Sequence, residues 1–136
     1  MRFMIIVRAS ADSESGVMPG AQRVAEMGRY HEELAQAGVL LDGHGLMPSA
    51  EGWRVRYHGG TATVVDGPFT ETRELIAGYT LIQVRSRDEA MDWARRFPAP
   101  FGALADGEIE VRPLVEPVDF PPGASSDRLR PSPATR

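Results

Sequence analysis

The chain contains no cysteine and no lysine. Without cysteine there are no disulfides, no thiol nucleophiles and no thiolate metal ligands. All 15 basic residues are Arg, set against 19 acidic residues, for a net charge of -4 and a pI near 5.4. The Arg residues are scattered, so the basic stripe required by a phosphate backbone is missing and no direct nucleic-acid partner is expected. Long apolar runs are lacking too. The longest, Phe3 to Val7, falls far short of a membrane span, and the start shows no signal-peptide pattern. The expectation is a soluble, cytoplasmic chain with no membrane partner. Its 136 residues, 42% hydrophobic and 25% charged, are enough for one domain with a real core.

Composition breaks once. From Pro117 to Arg136 the chain holds 5 of its 11 prolines and little apolar surface. Such a stretch cannot offset its ordering entropy, so 117–136 is expected to be a Pro/Ser/Arg-rich tail, mobile past about Phe120. The body, residues 1–116, carries 12 Arg and 17 acidic residues and is net -5, whereas the tail is net +1.

Periodicity orders the body. Phe3 to Val7 is apolar on both faces, as a central strand is. Residues 10–18 read as a loop. Pro19 suits a first helical turn, after which Val24, Met27, His31 and Leu34 recur at helical spacing until Gly38 ends the helix. Val39 to Leu41 opens a strand that loosens at Gly43-His44-Gly45. Trp53 to Tyr57 and Thr61 to Val65, joined at Gly59-Gly60, make a hairpin. Tyr79 to Val84 is a second two-sided apolar strand. Ser86 and Glu89 open a helix as a capping box, Ala90, Trp93, Ala94 and Phe97 form its stripe, and Pro98 closes it. Glu108 to Arg112 alternates as a last strand. Setting the hairpin aside, the order is βαββαβ, an α+β ferredoxin-like plan with both helices on one sheet face. The other face must meet a ligand, solvent or a second copy. Because two strands are apolar on both sides, a homodimer is expected.

Titratable groups concentrate at two glycine-rich distortions. His44, flanked by Gly43 and Gly45, could be aimed into a pocket and titrate near neutrality. Asp66-Gly67-Pro68-Phe69-Thr70-Glu71-Thr72-Arg73-Glu74 is the densest polar segment. It could present Asp66 as acid or base, Arg73 as an anion clamp and Glu74 beside it. Turn chemistry is the plainer alternative, with Asp66 accepting from backbone N–H groups and Arg73 pairing with a carboxylate. His31 reads as a hydrogen-bonded core residue and His58 as a solvated hairpin residue. The three histidines stand 13 and 14 residues apart with no cysteine to help, so no metal site is expected. No phosphate-cradling loop or nucleophile elbow occurs, and no cofactor is called for. Trp53, opening an exposed-looking hairpin, is a candidate interface anchor.

Asp66-Gly67-Pro68-Phe69 resembles the signature of the DGPF branch of the YCII-related family. So do Glu33 to Leu40, Gly43-His44-Gly45-Leu46-Met47-Pro48, Thr70 to Glu74, Gly78-Tyr79 and Glu110-Val111-Arg112-Pro113, together spanning about residues 2–115. The resemblance implies a dimeric α+β barrel of ferredoxin-like protomers. The wider family includes a dehydrochlorinase acting on a chlorinated hydroquinone, for which a His near the middle of the first helix, with an Asp, is proposed to act. Aligned without gaps on the helix end at Ala37-Gly38, the equivalent here is Met27, which moves no protons. His44 stands where many DGPF members carry Glu. Such proteins often sit beside genes for extracytoplasmic-function sigma factors.

Two readings follow. The first is a small polar ligand in a dimer-associated cleft lined by His44, Asp66, Arg73 and Glu74, with cofactor-free lyase- or isomerase-like chemistry. The second is a non-enzymatic accessory module, for example partnering such a sigma factor through Trp53. A monooxygenase of the dimeric α+β barrel group is a third, resting on fold analogy alone.

Overall fold

The computed structural model describes residues 1–122, so most of the expected tail lies outside the described residues. Along β1 (Arg2–Arg8) the side chains of Phe3 and Ile5 are buried and alternate with half-buried Met4 and Ile6. That alternation divides the fold into two layers. β1 lies at the centre of a four-stranded antiparallel sheet with β5 (Ile76–Gln83) on one side and β6 (Ile109–Pro113) on the other, and β2 (Leu40–Gly45) forms the far edge next to β5. With the hairpin set aside, the spatial order is second, third, first, fourth strand. This order is compatible with the ferredoxin-like plan.

One sheet face carries the core. Phe3, Ile5, Ile82 and Val84 pack with Tyr30 and Leu34 of α2 (Ala21–Gln36) and with Ala90 of α3 (Arg87–Arg95). Helix α2 ends as its sequence requires: Gly38 takes φ +75 and its N–H bonds to the carbonyl of Ala35. Its start lies two residues past the expected one, since Gly20 is the N-cap, Ala21 the first helical residue, and Pro19 stands outside. The segment expected as a loop contains a short helix, α1 (Ala11–Glu14), because Ser10 and Ser13 cap each other reciprocally. At α3 the Ser86 hydroxyl accepts from the Glu89 N–H at 3.1 Å, but the Glu89 carboxylate reaches the N–H of Arg85, so the box closes one residue early.

Tyr30 ties the helices together. Its hydroxyl donates to the Trp93 carbonyl at 2.6 Å, its ring meets Phe97 edge-on at 5.1 Å, and burial pushes its pKa up to about 12. Tyr30→Phe leaves the rings in place and removes one of the two bonds that carbonyl accepts, the other coming from the Arg96 N–H, so a loss of about 1 kcal/mol is expected. Thermal denaturation reads it, and an unchanged midpoint would mean that the bond contributes nothing net.

β3 (Trp53–His58) and β4 (Thr61–Asp66) form the expected hairpin, with Gly59 and Gly60 both at positive φ as a type I′ turn demands. They make a separate two-stranded sheet, exposed at every position except Val65. Of the expected tail, Pro117–Asp119 forms a 3-10 turn capped by Glu116, whose carboxylate accepts two bonds from Arg2 at 2.9 and 3.0 Å.

Candidate functional site

A cavity of about 810 Å³ opens between the N-terminal half of α2 and the ends of β2 and β5. Residues 16–20 form one lip and Leu46-Met47-Pro48 the other. Its walls are mainly apolar: Met18, Val24, Met27, Leu46, Met47 and Phe101 line it. The polar side chains in the lining include Asp12 and Ser13 of α1, Arg23 held beside Glu26 on the same helix, and His31 and Thr80 at the floor.

His31 is the ionisable ring directed at this floor. Its Nε2 lies 2.9 Å from the Oγ1 of Thr80, which is itself 2% exposed. The ring rests against Gly43, where an added Cβ would stand 3.2 Å from both Cε1 and Nε2. Gly78 plays a similar part deeper in the sheet, since a Cβ there would meet the carbonyl oxygen of His44 at 3.0 Å. Glycines at these two positions let β2, β5 and the imidazole approach closely. Partial burial holds the His31 pKa below the ordinary histidine value, which favours the neutral ring at neutral pH. The Nδ1 atom makes no hydrogen bond to any described residue.

His44 borders the cavity, but its side chain turns away. Leu40 pairs with Ile82 on the helix-covered face, and a bulge at Leu41 then shifts the register by one, so that Asp42 pairs with Leu81 and Gly43 with Thr80. A one-residue shift exchanges the faces. Gly43 therefore faces His31, and His44 stands on the opposite face beside Tyr79. There its Nε2 lies 3.0 Å from Asp42 Oδ1, and the Tyr79 hydroxyl donates to Asp42 Oδ2 at 3.2 Å. Desolvation and the Asp42 carboxylate hold the Tyr79 phenol above its usual range.

Asp66, Arg73 and Glu74 are not among the residues lining this cavity, which is formed within a single chain. Asp66 ends β4 opposite Trp53, and Arg73 and Glu74 lie on an exposed 3-10 turn, Thr72–Glu74. The plainer alternatives also do not apply. Among the described residues, the Asp66 side chain accepts no hydrogen bond and Arg73 forms no ion pair. Trp53 is 65% exposed.

The neighbouring Gly67-Pro68-Phe69 has a structural task. Ser49 Oγ accepts from the Phe69 N–H at 3.0 Å and donates to Glu14, whose other carboxylate oxygen accepts from the Ser49 N–H at 3.0 Å. Gly67 lies so close that a Cβ would fall 1.8 Å from the Ser49 carbonyl oxygen. The Arg54 guanidinium stacks over the Phe69 ring at 3.8 Å. This clasp joins the hairpin base to α1 and to the lip at Pro48.

Sequence reasoning passed over His31. The available signal was its position four residues after Met27 on the inward stripe, one helical turn beyond the place where a proton-moving side chain was sought. Among the described residues no group of three His, Asp or Glu side chains converges as a metal ion requires, and no helix is long and apolar enough to cross a membrane.

An uncharacterized protein of Rhizobium meliloti (strain 1021) is 35% identical over 89 residues, covering 65% of this chain and 70% of its own. The model of the YCII-related domain matches residues 1–117, which include the whole sheet, both long helices, the cavity and the clasp. The chain therefore belongs to the YCII-related family.

Proposed function

We propose that the chain, acting as a homodimer, binds a small and largely apolar molecule in the cavity under α2 and exchanges a proton with it through His31. The observation carrying this reading is a half-buried imidazole, bonded on one nitrogen to Thr80, at the floor of a cavity walled by methionine, valine, leucine and phenylalanine. Such a pocket suits an uncharged body with a single hydrogen-bonding or weakly acidic group. A neutral imidazole can accept that group's proton on a ring nitrogen and return it, with the Thr80 hydroxyl fixing the ring. The chemistry needs no cofactor. The polar ligand expected from the sequence gives way because the cavity wall has few charges to meet one. His44, Asp66, Arg73 and Glu74 have no part in this step.

A thermal-shift screen of small neutral alcohols, phenols and ketones tests the reading. A compound at a hundred times its dissociation constant raises stability by about 2.7 kcal/mol. Met27→Trp fills the cavity and is expected to remove every such shift while leaving the far-UV spectrum intact. Stabilisation that survives this substitution would place the ligand elsewhere.

A further inference from the structure

We infer that the β3–β4 hairpin is an arm whose apolar face lies on the open sheet face of a second copy of this chain. The inference rests on the homodimer reading above and specifies which surfaces meet.

Register sorts the side chains of the arm. Trp53, Val55 and Tyr57 share one face with their cross-strand neighbours Asp66, Val64 and Ala62, so that this face is apolar except for the carboxylate at its base, while Arg54, Arg56 and His58 share the other with Val65. The second face turns toward the body, since Arg54 stacks on Phe69 and Val65 is partly covered. Among the described residues the first is left uncovered. Trp53, Tyr57 and Val64 are 65%, 80% and 64% exposed. A two-stranded hairpin standing alone in water is at best marginally stable, so this one needs a surface to lie on.

The same chain has a matching uncovered surface. On the sheet face away from the helices, Met4 pairs with Leu81 and Ile6 with Tyr79, giving an apolar centre that no strand or helix among the described residues overlays. Ion pairs frame it at both ends: Arg2 with Glu116, and Arg8 with Glu110. An apolar centre within a charged rim is the anatomy of a protein interface. The exposed Trp and Tyr are each about 150–250 Å² in extent, and with the two valines one arm offers about 400 Å²; two arms laid reciprocally on two sheets would bury about 1,600 Å² over both surfaces, the size of a specific complex. Twofold symmetry makes the exchange closed, which limits it to a dimer.

The absence of native cysteine makes the test clean. Full-length Ala62→Cys chains are mixed with Met4→Cys or Ile6→Cys chains and oxidised, and sedimentation is run on the wild type and on the double variant Trp53→Ala, Tyr57→Ala. The expected result is a mixed Ala62-to-sheet disulfide exceeding either like-to-like product severalfold, a wild-type dimer, and at least a hundredfold weaker dimerisation in the double variant with an unchanged far-UV spectrum. A dimer that links Ala62 only to Ala62, or one indifferent to the double variant, would overturn the arm while leaving the homodimer standing. A wild-type monomer would overturn both.

Discussion

Gly67→Ala is expected to lower stability by about 3 kcal/mol or more and the melting midpoint by about 10 °C. The new methyl would sit 1.8 Å from the Ser49 carbonyl oxygen, and both sides of that contact are backbone. No rotamer change relieves it, so the strand end or the Pro48–Glu51 segment must move. Either movement breaks the clasp, because the Phe69 N–H, the Ser49 hydroxyl and the Glu14 carboxylate are bonded in series. Surface positions a few residues away provide the contrast. Asp66→Ala and Arg73→Ala should each remain within about 0.5 kcal/mol of the wild type, as exposed side chains without partners do. Circular dichroism melts of the three variants decide the matter. A Gly67→Ala chain as stable as the Arg73→Ala chain would show that the close approach does not persist in solution.

The second large effect concerns the cavity. His31→Gln should weaken binding of any compound found in the thermal-shift screen by about ten- to a hundredfold, the loss expected when a partly buried polar partner no longer meets its group. Calorimetric titration measures it, and equal affinities for the two proteins would remove His31 from the site. The same residue gives a pH signature. Its pKa in the fold lies below that in the unfolded chain, so between those two values the unfolded state holds more protons. The contribution of His31 to stability is therefore complete above the unfolded value near pH 6.5 and declines as pH falls through the folded value. Melting midpoints of wild type and His31→Gln should accordingly draw apart or together between pH 7.5 and 5, with the wild type falling further. Parallel curves would show that the ring is solvated like a free histidine.

The secondary elements were legible because their signals are local. Gly59-Gly60 needs only its own φ angles to specify the hairpin, and the helical spacing of Met27, His31 and Leu34 needs only one face of one helix. Two strands apolar on both sides are enough to imply a sheet face that the two helices leave uncovered. These readings concern covalent neighbours and residues a turn away, where periodicity is a direct physical constraint.

The site depended on contacts that no local pattern carries. One extra residue at Leu41 exchanged the faces of β2, sending His44 out and leaving Gly43 against His31, and a register shift of this kind is set by pairing with β5 about forty residues later. The Asp66–Phe69 segment likewise looked like chemistry because its purpose, a backbone approach to Ser49, lies twenty residues earlier in the chain. Sequence alone determined the strands, the two long helices and the sheet face that the helices leave bare. Only the packed structure determined which histidine faces the cavity, because side-chain direction across a bulge and distance between remote segments are properties of the assembled sheet.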